Sequence, residues 1–245
     1  MVSIIACTMR SAYMDNLFAN YERQDWPNKE LIIILNNDQM DIRAWKERAQ
    51  QYKVNEVRVY QLPQRYMLGK CLNWAIARAK GTFIAKFDDD DYYAPAYLRE
   101  SVNALRAKKA PVVGKHTCYV YFEEKRALME YRKGREKKHL GRLKGGTLVF
   151  RKEVWRKIKF RENQVAGSDS QWLKECRDAG IPIYSVSKNN YVCIRRRDTN
   201  SHTQKRSTEA YMSMCQLIAH TDNFIPYITT SDMGSNGDIV SRRFR

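Results

Sequence analysis

Four consecutive aspartates, Asp88 to Asp91, are the residues of this sequence with the clearest chemical potential. They directly follow an apolar run, 83–87, whose composition predicts a buried strand. In extended backbone the side chains alternate, so Asp88 and Asp90 are expected on one side and Asp89 on the other. Carboxylates that converge at a strand end repel each other, and a hard divalent cation shared with substrate phosphates would offset that repulsion. The run predicts such a metal site, and a solvated acidic turn is the alternative.

The elements around the aspartates alternate between strand and helix. Apolar runs predict strands over 2–7, 31–35, 57–62 and 83–87. Residues at helical spacing predict a helix after each of them, which is the pattern of an α/β, Rossmann-like and mostly parallel central sheet with helices on both faces. Ligands of such sheets bind at the carboxyl ends of the strands, where Thr8, residues 36–38 and the aspartates are expected to meet.

The second half of the sequence is less regular. The basic stretch Lys125–Lys144 predicts a weak helix, and Glu209–Thr221 predicts a C-terminal helix. Gly145 and Gly146 precede an apolar run and would allow a ligand to approach the backbone closely. Asp169 stands at the start of a predicted helix.

Composition limits the class of protein. A chain of 245 residues suits one large α/β domain, and it contains no apolar run near the roughly 20 residues that a membrane span needs. The N-terminus lacks the features of a signal peptide, and six scattered cysteines without a pairing pattern favour a cytoplasmic setting. The formal charge of +17 favours anionic partners, which are nucleic acid, anionic lipid surfaces or phosphorylated substrates.

Several segments resemble the family 2 glycosyltransferases, which have the GT-A fold. They are VSIIACTMR, LIIILNND, GSDSQW and, most specifically, LGKCLNWAIARAKGTFIAKFDDDDYYAPAYL. The resemblance implies a GT-A domain over 1–205, with a nucleotide-binding half over 1–110 and an acceptor-binding half over 111–205. A C-terminal helix and basic tail would follow over 206–245.

The resemblance also implies a reaction. Such an enzyme transfers a sugar, with inversion, from a UDP-, GDP- or dTDP-linked donor to a hydroxyl of a saccharide or lipid-linked acceptor. Its DXD motif implies that Asp90 is the main ligand of Mn²⁺ or Mg²⁺ and that Asp88 contacts the metal or the ribose. Asp89 would face the donor sugar or support the loop. A divalent ion there stabilises the charge that develops on the leaving diphosphate.

Asp169 in GSDSQW matches the family's catalytic base, which takes the proton of the acceptor hydroxyl. An ordinary helix cap is the alternative for Asp169. Ser168 stands where the family often has an acidic residue. Trp172, one turn further, would stack on an acceptor sugar or belong to the core.

Other positions are matched to donor binding. Thr8 and Arg10 follow the first strand, and Asn36 or Asn37 follows the second, where family members commonly have two aspartates. Asparagine accepts and also donates hydrogen bonds, so the nucleotide is left open.

Six further positions are less specific. Lys70 and Asn73 are matched to positions near the diphosphate or behind the aspartate loop. His202 in NSHT is a candidate metal ligand, and the arginines at 195–197 are candidates to close over the diphosphate.

Three other classes were weighed. A nucleic-acid- or polyanion-binding protein fits the charge, but no helix-turn-helix, zinc-finger or RNP-like pattern is present. A metal-dependent nucleotidyltransferase would usually carry a glycine-rich phosphate loop, which CTMRSAY lacks. The intact aspartates argue against an inactive relative that serves in binding only.

The basic excess then predicts an anionic acceptor, such as a surface polysaccharide or a lipid-linked phosphate at the inner membrane face. Lys125–Lys144 and the arginines near the C-terminus would hold it.

Overall fold

The computed structural model describes residues 1–53, 56–107, 110–197 and 207–229. Its strands are β1 Val2–Thr8, β2 Lys29–Leu35, β3 Val57–Gln61, β4 Phe83–Phe87, β5 Tyr92–Tyr93, β6 Val112–Gly114, β7 Cys118–Phe122, β8 Ala127–Tyr131, β9 Lys138–His139, β10 Val149–Arg151, β11 Ile183–Ser185, β12 Tyr191–Arg195 and β13 Cys215–His220. Its α-helices are α1 Met14–Glu22, α2 Ile42–Ala49, α3 Leu68–Arg78, α4 Tyr97–Ala107, α5 Lys152–Lys157, α6 Ser168–Asp178, α7 Thr208–Met212 and α8 Ile225–Ile228. Short 3-10 helices cover Ser11–Tyr13 and Gly145–Thr147.

The larger sheet has the strand order β3-β2-β1-β4-β10-β6-β11-β9 within the described ranges. β1 to β4 pair in parallel, β10 runs antiparallel to β4 and β6, and β11 is parallel to β6. Apolar side chains of β1, β2 and β4 are buried on both faces, as parallel strands between helices require. Helices α1, α2 and α4 cover one face and α3, α5 and α6 the other. The predicted fold class is confirmed.

The smaller sheet has the order β13-β8-β7-β12-β5. Its edge strand β5 comes directly after the four aspartates and pairs with β12. The aspartates therefore occupy the passage from one sheet to the other, at the carboxyl end of β4. Across the described ranges the longest helices have eleven residues, too few to span the hydrocarbon of a bilayer.

Two predicted helices are wrong. Lys125–Lys144 contains β8 and β9, because the apolar residues Ala127, Leu128 and Met129 pair with β7 and are buried. The second half of Glu209–Thr221 is β13, which pairs with β8. In each segment, charged or small residues flank a short strand, so the local pattern resembles a helix. The strand forms only because it pairs with another part of the chain.

The described segment that follows the predicted boundary at residue 205 packs against the rest of the fold. β13 belongs to the smaller sheet, Tyr211 of α7 is buried in the main core, and Asn190 N donates to Ile228 O of α8 at 2.8 Å. Residues 207–229 are thus part of the same folded unit. The remainder of the predicted tail, 230–245, lies outside the described residues.

A buried carboxylate, Glu30, ties three strands together at the sheet edge opposite the aspartates. Glu30 Oε1 accepts from Ser3 Oγ of β1 at 2.5 Å and from the backbone N–H of Lys80 at 2.6 Å, and Arg58 of β3 donates to Oε2 at 2.6 Å. Burial opposes the charge of Glu30, but these donors outweigh it and lower the pKa of Glu30. The ionised form therefore stabilises the register of β1, β2 and β3.

We expect Glu30→Gln to lower the free energy of unfolding by about 2–3 kcal/mol at pH 7, because a neutral amide cannot satisfy three donors. A carboxyl whose folded pKa is lowered stabilises above its unfolded pKa and loses that effect as pH falls through the folded value. The difference between variant and wild type should therefore shrink below about pH 4. Urea unfolding across pH measures it. Glu47→Gln on the exposed face of α2 is the control, and a pH-independent difference would contradict the assignment.

Candidate active site

The four aspartates do not alternate along one extended strand as predicted. β4 ends at Phe87, and the backbone turns over residues 89–91. Asp88 pairs with Lys86, whereas Asp89 and Asp90 share the guanidinium of Arg10. The side chains of Asp88, Asp90 and Asp89 are 36%, 15% and 5% exposed. Asp88 is therefore the carboxylate of these three that a ligand reaches most easily.

Lys86 lies at the centre of the site. Alternation along β4 places Ile84 and Lys86 on the sheet face that α3 and α6 cover, and Lys86 is the last residue of that row before Asp88. Its Nζ lies 2.6 Å from Asp88 Oδ1 and 3.2 Å from Asp169 Oδ2, and its side chain is 5% exposed. One buried ammonium group thus brings together the predicted metal-binding loop and the predicted base, 81 positions apart in the sequence.

The charges of this trio depend on each other. Burial opposes the charge of Lys86, but Asp169 and Asp88 outweigh it and raise the pKa of Lys86. Burial likewise opposes the charge of Asp88, and Lys86 overcomes it and lowers the pKa of Asp88. Burial raises the pKa of Asp169 above its usual range, against the pull of Lys86. A carboxyl with a raised pKa is a stronger proton acceptor, which suits a general base.

The glycine pair fits closely around these carboxylates. A β-carbon at Gly145 would overlap Asp169 Oδ2, and one at Gly146 would overlap Asp88 Oδ2. Tyr93 fixes this contact, because its hydroxyl donates to Gly146 O at 2.6 Å and accepts from Asp88 N at 2.8 Å. The close approach that the sequence predicted is real, but the backbone approaches the chain's own carboxylates.

Asp169 is in the first turn of α6, as predicted, after Gly167 with φ of 73°. While Oδ2 faces Lys86, Oδ1 is shielded from solvent and has no hydrogen-bond partner. No helix-cap bond involves its side chain, so the cap alternative is not the arrangement in this structure. Ser168 is buried beside it.

Thr8 and Arg10 hold the inner side of the aspartate loop. Thr8 Oγ1 donates to Asp89 Oδ2 at 2.5 Å, and Arg10 pairs with Asp89 and, at 3.0 Å, with Asp90. Tyr13 lies under Arg10 and also under Arg196, whose Nη1 donates to Asp90 O at 2.7 Å. Asp89 therefore supports the loop, which was one of the two roles predicted for it.

Asp91 is the most enclosed member of the run. It accepts from Tyr191 Oη and from Ile194 N at 3.1 Å, and burial followed by Asp90 raises the pKa of Asp91 to about 7. Asn16 and Asn20 donate to Asp91 O at 3.0 and 2.8 Å. These contacts connect α1, the loop and β12.

The two asparagines that were predicted to contact the nucleotide form hydrogen bonds to the backbone of neighbouring loops. Asn36 is buried and donates to Pro63 O at 2.8 Å. Asn37 is half-buried, donates to Met9 O at 3.1 Å and accepts from Gln39 N at 2.9 Å. They order the ends of β1, β2 and β3 beside the aspartates.

Lys70 is half-buried, and its ammonium group lies 4.1 Å from the ring centre of Tyr66.

Asn73 and Trp172 make packing contacts in this structure, and a place in the core was one of the two alternatives predicted for Trp172. Asn73 is buried, donates to Phe160 O at 2.8 Å and accepts from Trp155 Nε1 at 2.9 Å, so its amide holds α3 to the segment around α5. Trp172 is fully buried and donates to Ile158 O at 2.8 Å, which places it in the core instead of on an acceptor.

The remaining predicted residues are found in different places. Arg195 is buried with its guanidinium 5.4 Å from the ring centre of Tyr211, so of residues 195–196 it is Arg196 that reaches the aspartate loop. His202 lies outside the described residues. The sequence reasoning missed Lys86, although a lysine inside the apolar run FIAKF was a signal that a buried charge needed a partner.

The donor set suits a divalent cation that is completed by a substrate. Carboxylate oxygens are the ligands that Mg²⁺ and Mn²⁺ prefer, and such ions often take one or two carboxylates plus phosphate oxygens and water. Among the described residues no three acidic, histidine or cysteine side chains converge on one point. Asp88 and Asp90 each supply carboxylate oxygens, but within the described ranges they are not part of a complete protein cage for a metal.

The chain matches the model of the family described as Glycosyl transferase family 2 over residues 3–161. It belongs to this family and has the GT-A fold. A sequence search among curated proteins found no match.

Solved structures show the same fold. TarS 1-349 from S. aureus in complex with UDP-GlcNAc has 18% identity and a TM-score of 0.65, over 87% of this chain and 64% of that one. The mannosyltransferase PcManGT from Pyrobaculum calidifontis, in complex with GDP-Man and Mn²⁺, has 14% identity and a TM-score of 0.63, over 86% of this chain and 59% of that one. This chain thus spans less than two thirds of either structure.

We expect Lys86→Met to destabilise the protein by about 1–3 kcal/mol at neutral pH, because it leaves two partly buried carboxylates without their cation. Thermal and urea unfolding measure the loss. Lys46→Met, on the exposed face of α2, is the matched control. Equal stability of Lys86→Met and wild type would show that Lys86 does not hold the site together.

Proposed function

We propose that this protein transfers a sugar, with inversion, from a nucleoside-diphosphate donor to the hydroxyl of a saccharide or lipid-linked acceptor. Asp169 would be the general base, and Asp90 and Asp88 would hold Mn²⁺ or Mg²⁺ together with the donor diphosphate. Surface polysaccharide synthesis is the setting we propose for it.

The observation that supports this most is the shared contact of Asp88 and Asp169 with Lys86. An inverting transfer in one step needs the leaving diphosphate and the base on opposite sides of one anomeric carbon. Both carboxylates contact the same nitrogen atom, Lys86 Nζ, at 2.6 and 3.2 Å. A reacting sugar that contacted the aspartate loop would therefore also lie close to the base.

Asp169, Lys86 and the divalent ion would each have a separate role in the reaction. Asp169, whose side chain is 19% exposed and whose Oδ1 has no hydrogen-bond partner in the described part of the chain, would accept the proton of the acceptor hydroxyl. Lys86 would hold Oδ2 and keep Asp169 oriented. When bound, the divalent ion would stabilise the charge on the departing diphosphate.

The donor is proposed from the relatives as well as from the site. TarS and PcManGT are seen with UDP-GlcNAc and with GDP-Man and Mn²⁺, which supports a UDP- or GDP-linked sugar here. A dTDP-linked donor stays within the proposal, because the amide groups of Asn36 and Asn37 bind backbone groups of the protein and do not select one base.

Asp169→Asn should lower the turnover number by about 10²- to 10⁴-fold while the nucleotide dissociation constant changes little, because it removes the proton acceptor only. Release of nucleoside diphosphate from the donor measures turnover, and NMR of the product's anomeric proton measures inversion. Asp178→Asn, in the last turn of the same helix, is the control. Normal turnover by Asp169→Asn would exclude Asp169 as the base.

Chelation of divalent ions should abolish the thermal stabilisation by UDP, GDP or dTDP, because the aspartate loop and a diphosphate repel each other. The first experiment is therefore a screen of nucleotide sugars with Mn²⁺, Mg²⁺ or EDTA. Asp90→Asn should weaken metal-dependent nucleotide binding by about tenfold or more, since a protein–metal–diphosphate contact is lost.

The exposed Asp222→Asn is the control for charge in that screen. Nucleotide binding that is equally strong in EDTA would refute metal dependence. An absence of binding for every nucleotide sugar would refute the proposed donor class.

A further inference from the structure

A cavity of about 590 Å³ opens beside the start of α6. Its walls come from Arg132, from residues 141–143 and from eight residues between 164 and 177, which are Gln164, Ala166, Gly167, Ser170, Gln171, Leu173, Lys174 and Arg177. Pockets of about 300–1,000 Å³ are typical of small-ligand sites. The cavity is therefore large enough for part of a saccharide.

The charged side chains that line the cavity are all cationic: Arg132, Arg142, Lys174 and Arg177. Asp178, outside the lining, offsets part of this charge, since it lies 2.6 Å from Lys174 and 3.6 Å from Arg177. Arg132 and Arg142 form no ion pair with any carboxylate in the described ranges. The cavity thus has a positive excess.

His116, next to this cavity, is affected by the same charge. Its Nε2 lies 3.4 Å from Arg132 Nη1. Burial, and then Arg132, Arg135 and Arg142, lower the pKa of His116, and no carboxylate contributes to the shift. Several guanidinium groups therefore meet here without a counter-charge, which is an arrangement that attracts anions.

The cavity adjoins the proposed base. Asp169 itself is not in the lining, but Gly167 and Ser170 of the wall are its near neighbours in sequence at the start of α6. Leu143, also in the lining, is two residues before Gly145, which lies against Asp169. Neither Asp88 nor Asp90 lines it. A molecule in the cavity would lie on the base side of the site, where an acceptor hydroxyl has to arrive.

We propose that this cavity is the acceptor subsite and that it takes a saccharide carrying an anionic group, a phosphate or a carboxylate, near the accepting hydroxyl. Guanidinium groups suit both anions because they donate two parallel hydrogen bonds. The basic stretch 125–144 supplies Arg132 and Arg142, and α6 supplies the other two cations. This inference rests on the proposed function, because it takes Asp169 as the base.

The test compares three small probes, glucose, glucose 6-phosphate and glucuronate, by saturation-transfer NMR at low salt. Wild type should bind both charged sugars about tenfold more tightly than glucose. Two exposed ion pairs between guanidinium groups and the anion would together strengthen binding by roughly this factor. Arg142→Ala/Arg177→Ala should lose that preference. Arg142→Lys/Arg177→Lys should keep most of it. The better of the two charged sugars identifies phosphate or carboxylate as the anion.

Arg43→Ala/Arg156→Ala is the matched control, because it removes the same charge from exposed helix positions outside the cavity. Equal binding of all three probes by wild type would overturn the proposal, as would an equal loss of preference in the control. Circular dichroism confirms that the variants are folded.

Binding of UDP or GDP with Mn²⁺ to the wild type separates the two proposals. Nucleotide binding without a preference for anionic sugars would overturn the acceptor inference and leave the proposed function in place. A preference for anionic sugars without any nucleotide binding would support an anion-binding cavity and overturn the proposed donor chemistry.

Discussion

The arrangement of this site depends on one buried ammonium group. Lys86 reaches the end of a strand that is otherwise apolar, and it is stable there only because Asp88 and Asp169 surround it. In return, the two carboxylates stay close together although like charges repel. The two sheets, the glycine pair and the start of α6 are all positioned around this contact. A change in any of them would leave a charge buried without its partner.

The first half of the fold could be predicted from the sequence because its signals are local. The runs over β1, β2 and β4 and the helices between them follow apolar periodicity, and each parallel strand is buried on both faces. β8 and β13 are different. They are short strands whose pairing partners lie elsewhere in the chain, and their charged flanks resemble a surface helix. No local pattern contains that information.

The sequence predicted part of the candidate site, as it predicted part of the fold. Residue types and family resemblance indicated the aspartates, Asp169, Thr8 and Arg10, and the structure brings them together. Resemblance cannot separate a ligand-binding residue from a packing residue, and Asn73 and Trp172 are packing residues here. That distinction depends on burial and on which backbone groups need partners. Lys86 was missed because its function exists only once α6 has packed beside β4.

The aspartate loop is fastened by its backbone as well as by its side chains. Asn16 and Asn20 donate to its carbonyl groups, Ile194 N donates to Asp91, and Tyr93 closes it against Gly146. The loop is thus ordered before anything binds to it. A ligand that binds at this loop would therefore lose little conformational entropy of the protein, and desolvation and charge pairing would determine the thermodynamics of its binding.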